Sequence, residues 1–143
     1  MFRGHSSPSE GLVVWRFTSG TNTDLDWQTY CQAIRKAARE TSSHRHPCAF
    51  QVVESGSEDP SAKWRREIAE ALKSVMPHSH FVLVTGSSVV RHVLTAIFWL
   101  RPPKFTVDLV ATEEEGFDSL DAARPGSAAR VRAILERLRE PTP

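Results

Sequence analysis

Four short apolar runs recur along the chain, Leu12-Val-Val-Trp-Arg-Phe17, Ala49-Phe-Gln-Val-Val53, Phe81-Val-Leu-Val-Thr85 and Phe105-Thr-Val-Asp-Leu-Val110, each followed by a polar connection and a helix-like segment. Runs of this length with little polar alternation read as strands buried on both faces, and near-parallel strands need helical crossovers. The rhythm predicts one α/β domain built on a largely parallel sheet.

The segments between the runs carry helical periodicity. Trp27, Tyr30, Cys31, Ile34, Ala37 and Ala38 recur at spacings of three and four, so residues 27–40 form a helix with one buried stripe, capped by Asp24 or Asp26. Trp64, Ile68, Ala71, Leu72 and Val75 mark a second helix, with Asp59 and Ser61 as candidate caps, ending near Met76-Pro77. Residues 89–100 are apolar over most of a third helix, which Arg101-Pro-Pro103 ends. Thr112 with Glu115 forms a capping-box pattern ahead of Phe117 and Leu120, and Ser127 is expected to cap a last helix bearing Val131, Ile134, Leu135 and Leu138. Residues 1–10, rich in Ser, Gly and Pro, read as a flexible arm ahead of a domain over 11–140. Strand order stays open, because the arm can supply an edge strand before Leu12.

Composition narrows the function classes. The 143 residues are 40% hydrophobic, and no apolar stretch approaches the roughly 18 to 20 needed to cross a bilayer, so no stable membrane insertion is expected. Eighteen Lys and Arg against 17 Asp and Glu leave a net charge of +1, which gives no field to recruit nucleic acid. Cys31 and Cys48 are the only cysteines and form no CxxC, and the first residues have no apolar signal region, so the expected setting is the reducing cytoplasm.

Residues 81–120 carry a resemblance. A strand, an Arg-bearing apolar helix with Arg91, a further strand and a short acidic helix, Glu113-Glu-Glu-Gly-Phe-Asp-Ser-Leu120, follow one another here. This order resembles the second half of the SpoIIAA-like proteins of the STAS superfamily, the sulfate-transporter and anti-sigma-factor-antagonist fold. By pattern the match covers roughly residues 48 to 120, with Ser119 where the family often has Trp. The resemblance implies a four- to five-stranded mixed sheet with helices mainly on one face. It also implies a regulatory protein-interaction module that is not an enzyme and needs no cofactor. Some relatives expose a phosphorylatable Ser after a central strand; the corresponding place here is Glu54-Ser-Gly-Ser57, which makes Ser55 and Ser57 the candidates. Loop serines also serve simply to satisfy backbone and cap helices.

Three other groups invite chemistry. Thr85, Gly86, Ser87, Ser88 and Arg91 surround a strand-to-helix turn that can present amide protons and a guanidinium to an anion, although it lacks the spacing of a phosphate loop. His44 with His46, and His78 with His80, could converge on a metal with Cys48, but no HExxH or paired cysteine motif accompanies them, so no metal is expected. Phe98 and Trp99 are adjacent on the third helix and cannot both face the sheet, so one of them is expected on an interface, with a homodimer as the leading partner. The expected function is a protein-interaction module, a candidate signalling switch. The alternative is a small-molecule or lipid carrier with a pocket at the strand ends, lined by Thr85, Ser87, Arg91, Trp99 and Phe105.

Overall fold

A computed structural model describes residues 1–100, with the side chain of Leu100 excepted, and 102–139. Arg101 of the expected helix stop and the last residue of the expected domain, at 140, lie outside the described residues.

Five strands form one sheet in the order β1-β2-β3-β4-β5. The first, β1 (Phe2–Ser7), pairs antiparallel with β2 (Leu12–Phe17) from Phe2↔Phe17 to Ser7↔Leu12. A 3-10 turn at Pro8–Glu10 joins them and closes on Gly11, whose φ of +64° lies in the left-handed region open to glycine. The other strands, β3 (Cys48–Val53), β4 (His80–Val84) and β5 (Thr106–Val110), continue parallel to β2. The first residues, read as an arm, thus supply the edge strand that the sequence left open, followed by a turn. Their period-two signal, Phe2-x-Gly4-x-Ser6, is hidden by the small residues that carry it.

The described residues also form five α-helices: α1 (Asp24–Thr41), α2 (Ala62–Leu72), α3 (Ser88–Leu100), α4 (Glu113–Ala123) and α5 (Ser127–Arg139). The cap of α1 is Thr23, not Asp24 or Asp26; its side chain accepts from the Asp26 N–H while Asp26 reaches back to the Thr23 N–H. Ser61 caps α2 and Thr112 caps α4, as their spacing predicts. Ser127 is the first residue of α5, and the Ala128 amide is instead satisfied by the Asp121 carboxylate at 2.9 Å.

Helices cover both faces of the sheet, where the resemblance implied mainly one. Successive parallel crossovers of one hand, each moving one strand along, bring α1, α2 and α3 to the same face. There Val13, Trp15, Phe17, Phe81 and Leu83 pack with Tyr30, Ile34 and Ile68. After β5 the chain passes to the other side, where α4 lies over β3 to β5 and α5 over β1 and β2. Leu12, Val14, Phe50, Val82 and Val84 bury against Phe117, Leu120, Val131 and Leu135. Both sets of alternate positions in β2, β3 and β4 are mostly apolar, so a sheet bare on one face would expose about half of these side chains. No helix among the described residues is long and apolar enough to cross a membrane.

Candidate functional site

The residues of the turn after β4 meet, but in hydrogen bonds to its own backbone. Thr85 is only 1% exposed, and its Oγ1 accepts the Ser87 N–H at 3.2 Å. Ser87 Oγ accepts the Val90 N–H at 3.3 Å, and the Arg91 guanidinium donates to the Thr85 carbonyl at 3.3 Å. Gly86 and Ser88 are exposed at the lip. The hydroxyls thus serve the first turn of α3, and Arg91 folds back onto the end of β4.

The two candidate serines differ. Ser55 is exposed at the tip beyond β3, in a turn with Gly56, whose φ is +83°; its hydroxyl has no partner among the described residues. Ser57 Oγ accepts from Asn22 Nδ2 at 3.1 Å, and its backbone bridges Gly20. Neighbouring Glu54 pairs with Arg16 and accepts the Ser19 N–H at 2.9 Å. Burial pushes the Glu54 carboxyl up, but those hydrogen bonds hold it below its ordinary range.

On α3 the structure separates Phe98 from Trp99. Val89, His92, Ala96 and Trp99 are exposed and recur at spacings of three and four, forming one outward stripe. Trp99 is 83% exposed and Val89 56%. Phe98 is half-buried and lines a groove of about 310 Å³ with Leu72, Val75 and Pro103. The cavity at the strand ends is different from the one expected there. It holds only about 50 Å³, little more than a water or two, and is lined by residues such as Phe17, Gln51, Val93 and Ile97. None of Thr85, Ser87, Arg91, Trp99 and Phe105 lines it; Phe105 instead packs on Phe81, ring centroids 6.4 Å apart.

The histidine pairs meet at the opposite end of the parallel strands. His46 and His80 have ring centroids 6.2 Å apart, and the His78 ring donates to the His44 carbonyl at 3.1 Å. No group of three or more His, Cys, Asp or Glu among the described residues is placed to hold a metal ion. Both cysteines are buried free thiols; burial pushes Cys31 up to about 11 and raises Cys48 as well.

One polar cluster escaped the sequence reading. Asp108 Oδ2 accepts from Ser119 Oγ at 2.5 Å and lies 2.6 Å from His80 Nε2. The Ser119 hydroxyl, followed by the imidazole, holds the carboxyl below its ordinary range. The hydroxyl donates to the carboxylate and not to the imidazole, so His80 is not arranged to take its proton as a nucleophile's base would. The cluster ties β4, β5 and α4 together. Its members are 11 and 28 residues apart, and only the strand register joins them. Comparison with family models, curated proteins and solved structures finds no match for this chain.

Proposed function

We propose that the protein is a cytoplasmic, non-catalytic interaction module whose contact face is the outward stripe of α3, with a second copy of the chain as its first partner. The single observation that carries this reading is the 83% exposure of Trp99. A Trp buries more apolar area than most side chains, and aromatic anchors of this kind dominate protein interfaces. The stripe suits self-association, because α3 contains no acidic residue and its outward positions carry no Asp, Glu, Lys or Arg. A two-fold axis would set stripe against stripe without like-charge repulsion. The resemblance to STAS-like regulatory domains supports the same class, with the unpartnered Ser55 hydroxyl as the point at which phosphorylation would act. The carrier alternative, placed as it was at the strand ends, finds there a cavity of only about 50 Å³.

Light scattering behind size exclusion, over a concentration series, tests the reading. The wild-type chain is expected to dimerise and Trp99→Glu to remain monomeric with unchanged circular dichroism. A wild-type monomer throughout the series overturns the dimer. Ser55→Asp is expected to shift the same equilibrium, and an identical curve would remove Ser55 from the switch.

A further inference from the structure

A groove of about 380 Å³ runs along the sheet's antiparallel edge between β1 and α1, far in sequence from α3. The strand register builds it. Gly4 stands opposite Trp15 and Ser6 opposite Val13, so Ser6 and Trp15 are diagonal neighbours on the face that also carries Phe2. Gly4 keeps the groove open: a Cβ there would stand 2.9 Å from Trp15 Cδ1 and 3.5 Å from Nε1. From α1, Thr29, Gln32 and Lys36 form the rim.

Two polar groups at the base have no protein partner, and one of them, Ser6 Oγ, is fully buried. Trp15 is 4% exposed and lines the groove; its indole N–H keeps contact with solvent and has no protein hydrogen-bond partner among the described residues. Ser6 Oγ is buried and also has none. A buried donor without a partner is uncommon in folded proteins and marks a place where something else supplies the acceptor. The indole N–H donates only, and the Ser hydroxyl can donate as well. No acidic residue lines the groove, while Lys36 brings a positive charge to the rim. Its Nζ forms only a loose, exposed ion pair with Glu40 Oε1 at 3.9 Å, for which a bound anion competes. Phe2, Val13 and Ala33 make the remaining wall apolar.

We infer that this groove binds a small monocarboxylate with an apolar body. The carboxylate oxygens accept from Trp15 Nε1 and Ser6 Oγ, Lys36 neutralises the charge, and the hydrocarbon lies along Phe2 and Ala33. Charge-assisted bonds of this kind are roughly twice as strong as neutral ones, so the acid is preferred to its amide.

The four indole N–H resonances of the ¹⁵N-labelled full chain are the readout, with Trp15 assigned by its loss in Trp15→Phe. Hexanoate is the probe and hexanamide its control. Hexanoate is expected to move the Trp15 resonance saturably, and hexanamide to bind about tenfold more weakly or worse. Ser6→Ala and Lys36→Gln, which leave the apolar wall intact, should each weaken hexanoate several-fold, and Gly4→Val should abolish the shift while the other indole resonances stay in place. No saturable movement up to about 10 mM hexanoate overturns the inference. An equal response to hexanamide overturns it too, as does full-strength binding by Ser6→Ala and Lys36→Gln. Should Trp15→Phe fail to fold, selective labelling with Gly4→Val assigns the resonance instead.

Discussion

Phe50 of β3 and Phe117 of α4 stack face to face, with ring centroids 5.1 Å apart and planes inclined by 5°. The stack forms because residue 116 has no side chain. A Cβ on Gly116 would stand 2.8 Å from Val84 Cγ2 and 2.9 Å from Phe50 Cε2, so α4 could not lie so close to the sheet. Gly116→Ala is therefore destabilising: overpacking costs about 1–3 kcal/mol, which outweighs or at least cancels the roughly 1 kcal/mol gained in helix propensity. Phe117→Ala leaves a cavity and costs about 3–5 kcal/mol. Urea denaturation checks both, and a Gly116→Ala variant more stable than wild type would show that α4 can lift off the sheet.

On the opposite face a buried polar pair crosses the core. The Tyr30 hydroxyl donates to Gln51 Oε1 at 2.7 Å, and burial raises the phenol above its usual range. Tyr30→Phe leaves the Gln51 carbonyl without a donor and is expected to cost about 1–3 kcal/mol. Adding Gln51→Leu removes the orphaned group, so the double variant should recover part of that loss in the same denaturation assay. Additive losses would mean that the bond itself carries little coupling.

The lower loops depend on one guanidinium. Arg124 donates to the carbonyls of Glu10, Gly11 and His46, the latter two at 3.3 and 3.4 Å, and so joins the β1–β2 turn to the approach to β3. Arg124→Lys keeps the charge but cannot reproduce the planar fork. It is expected to lose about 1–2 kcal/mol of stability and to speed amide exchange of Gly11 and Cys48, whose N–H donates to the Gly11 carbonyl at 2.9 Å. Unchanged exchange at both amides would remove Arg124 from this role.

What the sequence makes legible here follows from range. The runs at β2, β3 and β4 declare themselves because strands buried on both faces are apolar at most positions, with Arg16, Gln51 and His80 the interruptions, and α1 because its stripe repeats over five turns. The Thr85–Ser87–Arg91 turn is equally local, and its residues are spent on the turn's own backbone. The β1 strand is illegible for a physical reason: Gly4 and Ser6 stand where a larger apolar residue would signal a strand, and their small size is what opens the groove beside Trp15. The two-sided cover of the sheet depends on where α4 and α5 return, which no local pattern records. The Ser119–Asp108–His80 cluster depends on register between β4 and β5.

The histidine corner gives the fold an acid limit. His46 sits within reach of His80, Arg124, His78 and His44; burial first, then these positive neighbours, hold its pKa below the usual value of 6.5. The unfolded chain therefore takes up a proton that the folded chain resists. Stability from this group is complete above about pH 6.5 and falls as pH drops from there through the lower folded pKa. Asp108 acts in the same sense at lower pH. Its depressed carboxyl contributes stability above the unfolded value of about 4, which is lost below it. Urea midpoints followed from about pH 7.5 down to about pH 2.5 should decline in two steps for the wild-type chain, and His46→Gln, which cannot take up the proton, should flatten the first. Asp108→Asn should leave the first step and remove the second. An unaltered slope in His46→Gln would move the acid limit to another group of this corner.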